Sequence, residues 1–165
     1  MQLDLDRDWP AILAYVDQAM KATYYVALAT VDPDGVPTVT PIGSLVLNAD
    51  RTGFFLERFP RTLGRNAEQN KNFCFLAENT RKWQILQQVR KGGYFGVKLT
   101  GVLGERRPAT PADVTRINHR IRFTRRKRAE QMLLGDAPQV RDLTVTRGDA
   151  IILGYDKANR TFTGS

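Results

Sequence analysis

The sequence predicts an antiparallel β-barrel with helices packed on its outside, mainly β in content. Three observations carry this reading. Short runs of β-branched and aromatic residues alternate with turn signals along most of the 165 residues. One long strand candidate carries Gly96, Gly101 and Gly104, and repeated glycines suit a sheet that bulges and curls. Helical spacing of apolar residues is confined to about three segments, and closing the sheet on itself removes exposed edges. The length suits one domain spanning 1–165.

In chain order, Asp8-Trp-Pro10 reads as a helix start, with Asp8 as cap and Pro10 in the first turn. Trp9, Ile12, Leu13, Val16 and Met20 recur at helical spacing and mark a buried face. Tyr24 to Val31 reads as a strand, and Asp32-Pro-Asp-Gly35 as the turn of a hairpin. Val36 to Leu47 is its second arm, with Pro37 and Pro41 marking an edge or an irregular strand and Gly43 a close backbone approach. A turn over 48–53 leads to a third strand at Phe54 to Leu56. A short helix follows from Arg61, then a strand from Asn72 to Ala77. Trp83, Leu86 and Val89 are spaced as on a short helix between Asn79 and Lys91. Tyr94 to Arg106 is the long glycine-bearing strand. Thr110-Pro111 with Asp113 starts another helix, expected to run as far as Leu134 and stop at Gly135. Thr144 to Val145, Ala150 to Tyr155 and Arg160 to Thr163 supply the last strands. The count is six or seven strands.

Composition excludes several classes. Hydrophobic residues at 42% and charged residues at 25% are those of an ordinary soluble globular protein. No apolar run approaches the roughly 20 residues of a membrane span, and the acidic N-terminus lacks a signal-peptide layout, so a cytoplasmic protein is expected. Cys74, the one cysteine, sits in the apolar run Phe73-Cys-Phe-Leu76 and reads as a buried structural thiol. His119, the one histidine, has no second histidine to complete a metal site, and no metal is expected. No Walker loop, G-x-G-x-x-G fingerprint or Ser-His-Asp order is present. The net charge of +8 comes almost wholly from Arg116, Arg120, Arg122, Arg125, Arg126, Lys127 and Arg128, a block with no acid in it. That block is either a solvated helix face or an anion site.

The most informative stretch is Phe54 to Asn72. An apolar strand ends and a basic helix begins, with Arg61, Thr62 and Arg65 in its first turns. The first N–H groups of a helix lack internal partners and its dipole favours an anion there, so two arginines and a hydroxyl make a seat for a phosphate group. A solvated helix start with surface arginines is the other reading.

ALATVDPDGVPTVTPIG, a turn, and FFLERFPRTLGRNAEQNKNFCFLA together resemble the pyridoxamine 5'-phosphate oxidase-like family, the FMN-binding split barrels. The resemblance covers roughly Tyr24 to Glu105. It implies a six-stranded antiparallel split barrel that pairs as a homodimer with FMN at the interface. Thr40, Pro41, Ile42 and Gly43 match the strand that faces the flavin ring. Leu56, Glu57 and Arg58 match the ribityl and ring region. Arg61 matches the phosphate-binding arginine, and Thr62 stands where many members have lysine. Arg65, one turn on, can replace that charge. Trp83 is a candidate to stack on the ring. The true oxidases have Arg and Lys where this chain has Thr40 and Leu45, and their C-terminal pattern is absent. The resemblance therefore implies an FMN-dependent oxidoreductase acting on another small molecule, with no catalytic side chain identified. The alternatives are a deazaflavin-dependent reductase, or a haem- or nucleic-acid-binding protein on the same barrel. No aromatic-interleaved RNA motif is present, which argues against nucleic acid.

Overall fold

The computed structural model describes residues 1–58, 61–79, 94–121, 137–156 and 161–164. Helix α1 (Leu5–Thr23) starts earlier than the sequence suggests, because Asp4 and not Asp8 caps it. The Asp4 carboxylate accepts from the Asp6 and Arg7 amides at 3.1 and 3.4 Å, which satisfies donors that have no partner in the first turn. Pro10 consequently lies inside the helix. The buried face is Trp9, Ile12, Val16, Ala19 and Met20, with Leu13 only partly covered. Tyr24, at φ 68°, ends the helix.

Strands β1 (Val26–Val31) and β2 (Pro37–Ile42) form the expected hairpin. Its turn is held by the Asp32 carboxylate, which accepts from the amides of Asp34 and Val36. The second arm is not continuous to Leu47. It breaks after Ile42, and β3 is only Val46–Leu47. At the break, a Cβ on Gly43 would stand 2.9 Å from the Tyr24 carbonyl oxygen, which is the close approach that glycine permits.

Strand β4 (Thr52–Leu56), helix α2 (Arg61–Gln69) and strand β5 (Asn72–Glu78) follow. Strand β6 (Tyr94–Pro108) is long, and its pairing slips near Gly96, Gly101 and Gly104, where the sequence places bends. Helix α3 (Pro111–Ile121) opens with the predicted cap: Thr110 Oγ1 accepts from the Asp113 amide, and the Asp113 carboxylate accepts from the Thr110 amide. Strand β7 (Gln139–Asp156) is one strand of 18 residues where the sequence suggests two, and β8 (Thr161–Gly164) pairs with its end. The expected helix between Asn79 and Lys91 and the extension toward Leu134 lie outside the described residues.

The sheet runs β2-β1-β5-β6-β7-β4-β3, with β8 on β7 off that path. Seven strands therefore make the main path, not the six that the resemblance implies. Ile42 and Val46, on the two end strands, are joined by three residues. Four virtual bonds reach at most about 14 Å, so the sheet has to curl until its ends meet. Inside it lie Leu28, Phe55, Phe73, Phe75, Leu99, Leu103, Leu143 and the apolar faces of α1 and α2. Phe54, Leu56, Val46 and Val140 form a second cluster on the other side of β4, covered by Ile117 of α3. That is why Phe54-Phe55-Leu56 reads as an unbroken apolar run: both faces of β4 are buried.

Candidate functional site

Helix α2 is set by a narrow inner face. Leu63 and Ala67 enter the core, and the fully buried Asn66 donates from Nδ2 to the hydroxyls of Thr30 and Thr38 at 3.2 and 3.0 Å. Those bonds fix the helix on the β1–β2 hairpin. Its other side, Gly64, Arg65, Glu68 and Gln69, lines a cleft of about 480 Å³ together with Glu57, Arg58 and Arg106. That volume lies in the range of small-molecule sites.

Glu57, one of the lining residues, is held in a buried ion pair. Arg141, 3% exposed, reaches across from β7 and binds the Glu57 carboxylate, 8% exposed, through both Nε and Nη2. Its Nη1 donates to the Gly104 carbonyl at 3.1 Å. Arg106 pairs with Arg141 across the β6–β7 ladder, and its Nε stands 3.9 Å from Glu57 Oε1. A Cβ on Gly64 would come within 2.7 Å of Glu57 Oε1, so the helix rests almost on the carboxylate and needs glycine there. Buried charges of this kind persist only when paired and hydrogen-bonded.

Among the residues marked by the sequence, the structure brings Glu57, Arg58 and Arg65 together in this cleft. Arg61 opens α2, next to it in the chain, with its side chain outside the described set, and Thr62 is exposed in the same turn. Thr40, Pro41, Ile42 and Gly43 lie at the end of β2 and are not in the cleft lining. Ile42 faces the core, Pro41 faces outward and Thr40 is half-buried. Leu56 is buried against α3. Trp83 falls outside the described residues. Leu45, at 2% exposure, is a core residue. Sequence reasoning missed Arg106, Arg141, Gly64, Glu68 and Gln69. The sequence signal that was available is Gly64 inside a helix start, since a mid-helix glycine usually has a packing reason.

Two arginines of the basic block are used to dock α3. Arg116 donates to Asn48 Oδ1 at 2.8 Å and lies over the Phe54 ring, and Arg120 binds Asp17 of α1. The rest of that block, from Arg122, lies outside the described residues. His119 is exposed. Among the described residues no group of three or more His, Cys, Asp or Glu is placed to hold a metal, and no helix is long and apolar enough to cross a membrane. Cys74 is half-buried on the outward side of β5, and burial pushes its thiol pKa up, away from the thiolate a nucleophile needs.

No family model and no curated protein matches the sequence. Solved structures do. The fold is similar to an FMN-binding protein from Syntrophomonas wolfei (12% identity, 88% of this chain and 93% of that one, TM-score 0.59). It is similar to a Clostridium acetobutylicum protein related to general stress protein 26, of the pyridoxinephosphate oxidase family (12% identity, 94% of each chain, TM-score 0.57). It is also similar to HutZ, the haem storage protein of Vibrio cholerae (15% identity, 86% of this chain and 92% of that one, TM-score 0.53). Identities this low speak for the fold alone.

Proposed function

From the premise that this chain has the fold of the pyridoxamine 5'-phosphate oxidase-like proteins, we propose that it is an FMN-binding oxidoreductase, a cytoplasmic homodimer with the flavin between protomers. The observation that carries the reading is local: β4 ends, and α2 begins at Arg61 beside an arginine-lined cleft. The donor set suits a phosphate monoester. The amides at the start of α2 have no partners within the helix, Thr62 is exposed in that turn and Arg65 lines the cleft, a donor set of the kind that binds phosphate at helix starts. The end of β2, Thr40 to Gly43, and the β4 exit, Leu56 to Arg58, would flank the ring and ribityl chain.

Bound flavin supplies the hydride chemistry. The chain's own task is to bind and orient it, which agrees with a sequence holding one histidine. Thr40 and the buried Leu45, where the true oxidases carry Arg and Lys, support a substrate other than pyridoxamine phosphate. A haem reading draws support from the likeness to HutZ. An imidazole-ligated haem would have to use His119, which is exposed on α3 and is not among the cleft residues.

The test is titration of the purified protein with FMN, a deazaflavin and haem in parallel. FMN is expected to bind with quenched flavin fluorescence. Arg61→Ala is expected to weaken it by about 1.5–3 kcal/mol, the scale of a charge-assisted hydrogen bond. Preference for deazaflavin, or a haem Soret band with no FMN affinity, would replace the FMN assignment.

A further inference from the structure

The outward face of the β1–β2 hairpin is bare of charge. Alternation along the strands puts Ala27, Ala29 and Val31 of β1 on that face, with Pro41, Val39 and Pro37 of β2 beside them in register. The inward residues have other work: Val26, Leu28 and Ile42 enter the core, and Thr30 and Thr38 hold Asn66. On the other flank of β1, Cys74 of β5 lies beside Ala29 and Leu76 beside Ala27. Charge begins only at the rim, with Glu78 and Lys98. Val39 is 67% exposed, and Tyr25, one step before Ala27 in the alternation, is 48% exposed. Single exposed apolar residues are common on any surface, whereas a strip across three strands marks an interaction face.

The strip has relief. Pro37, Val39 and Pro41 make a ridge on β2. Ala27 and Ala29 leave a groove on β1, one strand spacing of about 4.8 Å away, and Cys74 and Leu76 wall its far side. Approach along the edge of β2 is blocked. The Asp32 amide donates to the Val36 carbonyl. Counting alternate pairs from there, Val31–Pro37, Ala29–Val39 and Ala27–Pro41 exchange no main-chain bonds. The main-chain groups of residues 37, 39 and 41 therefore point away from β1, and among the described residues no strand pairs with that edge. Two of those three residues are prolines with no N–H, so the edge offers a poor ladder to an added strand.

We infer that a second copy of this chain packs on this face, the β2 ridge of each copy lying in the β1 groove of the other about a two-fold axis along the strands. Two points select a second copy. Ridge and groove lie side by side on one surface, so a half-turn about a line between them brings each onto the other. The chain also carries a net charge of +8, and two copies meet with least repulsion through a strip that has none. The inference gives the homodimer of the flavin reading its face and sets the second copy beside Pro41, at the end of β2. Only that placement beside the flavin rests on the flavin reading; the face does not.

The experiment follows the full chain by sedimentation equilibrium, and its Cys74 thiol by maleimide labelling, over a range of protein concentrations. Wild type, Val39→Asp, Val39→Thr and Ala29→Val are compared, each checked for an unchanged circular dichroism spectrum. Ala49→Asp, in the exposed turn before β4, is the charge control. Wild type and Ala49→Asp are expected to form dimers in which labelling of Cys74 slows as concentration rises. Both Val39 variants are expected to loosen the dimer, Val39→Asp as far as the monomer. Ala29→Val makes the strip more apolar but fills the groove, and is expected to weaken the dimer about tenfold by overpacking. A wild type that stays monomeric overturns the face, as does a dimer that the Val39 and Ala29 variants leave unchanged. A dimer tightened by Ala29→Val overturns the ridge-in-groove packing. Cys74 shielded as well in the monomer as in the dimer puts the strip under the chain's own residues and overturns the inference. A wild-type dimer with no FMN affinity keeps the face and removes the flavin reading. FMN held as tightly by monomeric Val39→Asp keeps the face and takes the flavin out of the interface.

Discussion

Removing Glu57 is the sharpest test of how the cleft is built. In Glu57→Ala the Arg141 guanidinium stays buried at 3% exposure and loses both bonds to the carboxylate. Stranding one member of a buried pair costs about 3–5 kcal/mol. Two partners remain: the Gly104 carbonyl at 3.1 Å, and Glu68 Oε1 at 3.8 Å on a side chain free to swing inward. They place the expected cost at the lower end, about 3 kcal/mol. For a chain of this length that corresponds to a fall in Tm of roughly 6–12 °C. The assay is urea unfolding of Glu57→Ala, Arg141→Met and the double variant, read as a thermodynamic cycle. The double variant is expected to be more stable than Glu57→Ala alone, since it removes the stranded charge. A single-variant cost below about 1 kcal/mol, or a double-variant cost equal to the sum of the singles, would refute the buried-pair account.

Other predictions are more local. Asn66→Ala removes the amide that ties α2 to Thr30 and Thr38, and is expected to cost about 1–3 kcal/mol by chemical denaturation. A change within a few tenths of a kcal/mol would mean that the helix is held by Leu63 and Ala67 alone. Acid sensitivity is expected at Asp113. Burial alone would raise its carboxyl pKa, but hydrogen bonds from Arg107 and from Thr110 hold it below the usual value. A depressed folded pKa contributes stability above the unfolded value, about 3.9, and that contribution is lost as pH falls through the folded value. The urea midpoint of the wild type is therefore expected to drop more steeply below about pH 4 than that of Asp113→Asn; parallel curves would remove Asp113 from the acid response.

How much of this was readable from the residues depended on the range of the interactions. The Asp32–Gly35 turn and the Thr110 cap are set by neighbours in sequence, while the slips near Gly96, Gly101 and Gly104 lie in the β6–β7 pairing but fall at glycines that mark bends whatever the partner strand, and all appear where the residues place them. The first cap was misplaced because Asp4 and Asp8 are both competent, and only the fold decides that Asp4 closes the turn. Strand β7 reads as two pieces because Thr146, Arg147 and Asp149 interrupt its apolar pattern. In the fold β7 carries β4 on its first part and the bridge from Gln2 at Asp149. The cleft was the least legible part. Glu57, Arg58 and Arg65 are marked by the helix start. Arg106 and Arg141 join them only through the β6–β7 register, from far along the chain.

The break at Gly43 gives the barrel a seam. Among the described residues no ladder joins β2 to β3, so the perimeter is closed there by covalent chain and not by a row of main-chain bonds. One latch crosses nearby: the Ser44 hydroxyl oxygen accepts from the Leu56 amide at 3.0 Å. Leu56 immediately precedes Glu57. The point where the wall can part most cheaply is thus coupled mechanically, through a single peptide unit, to the carboxylate on which α2 rests.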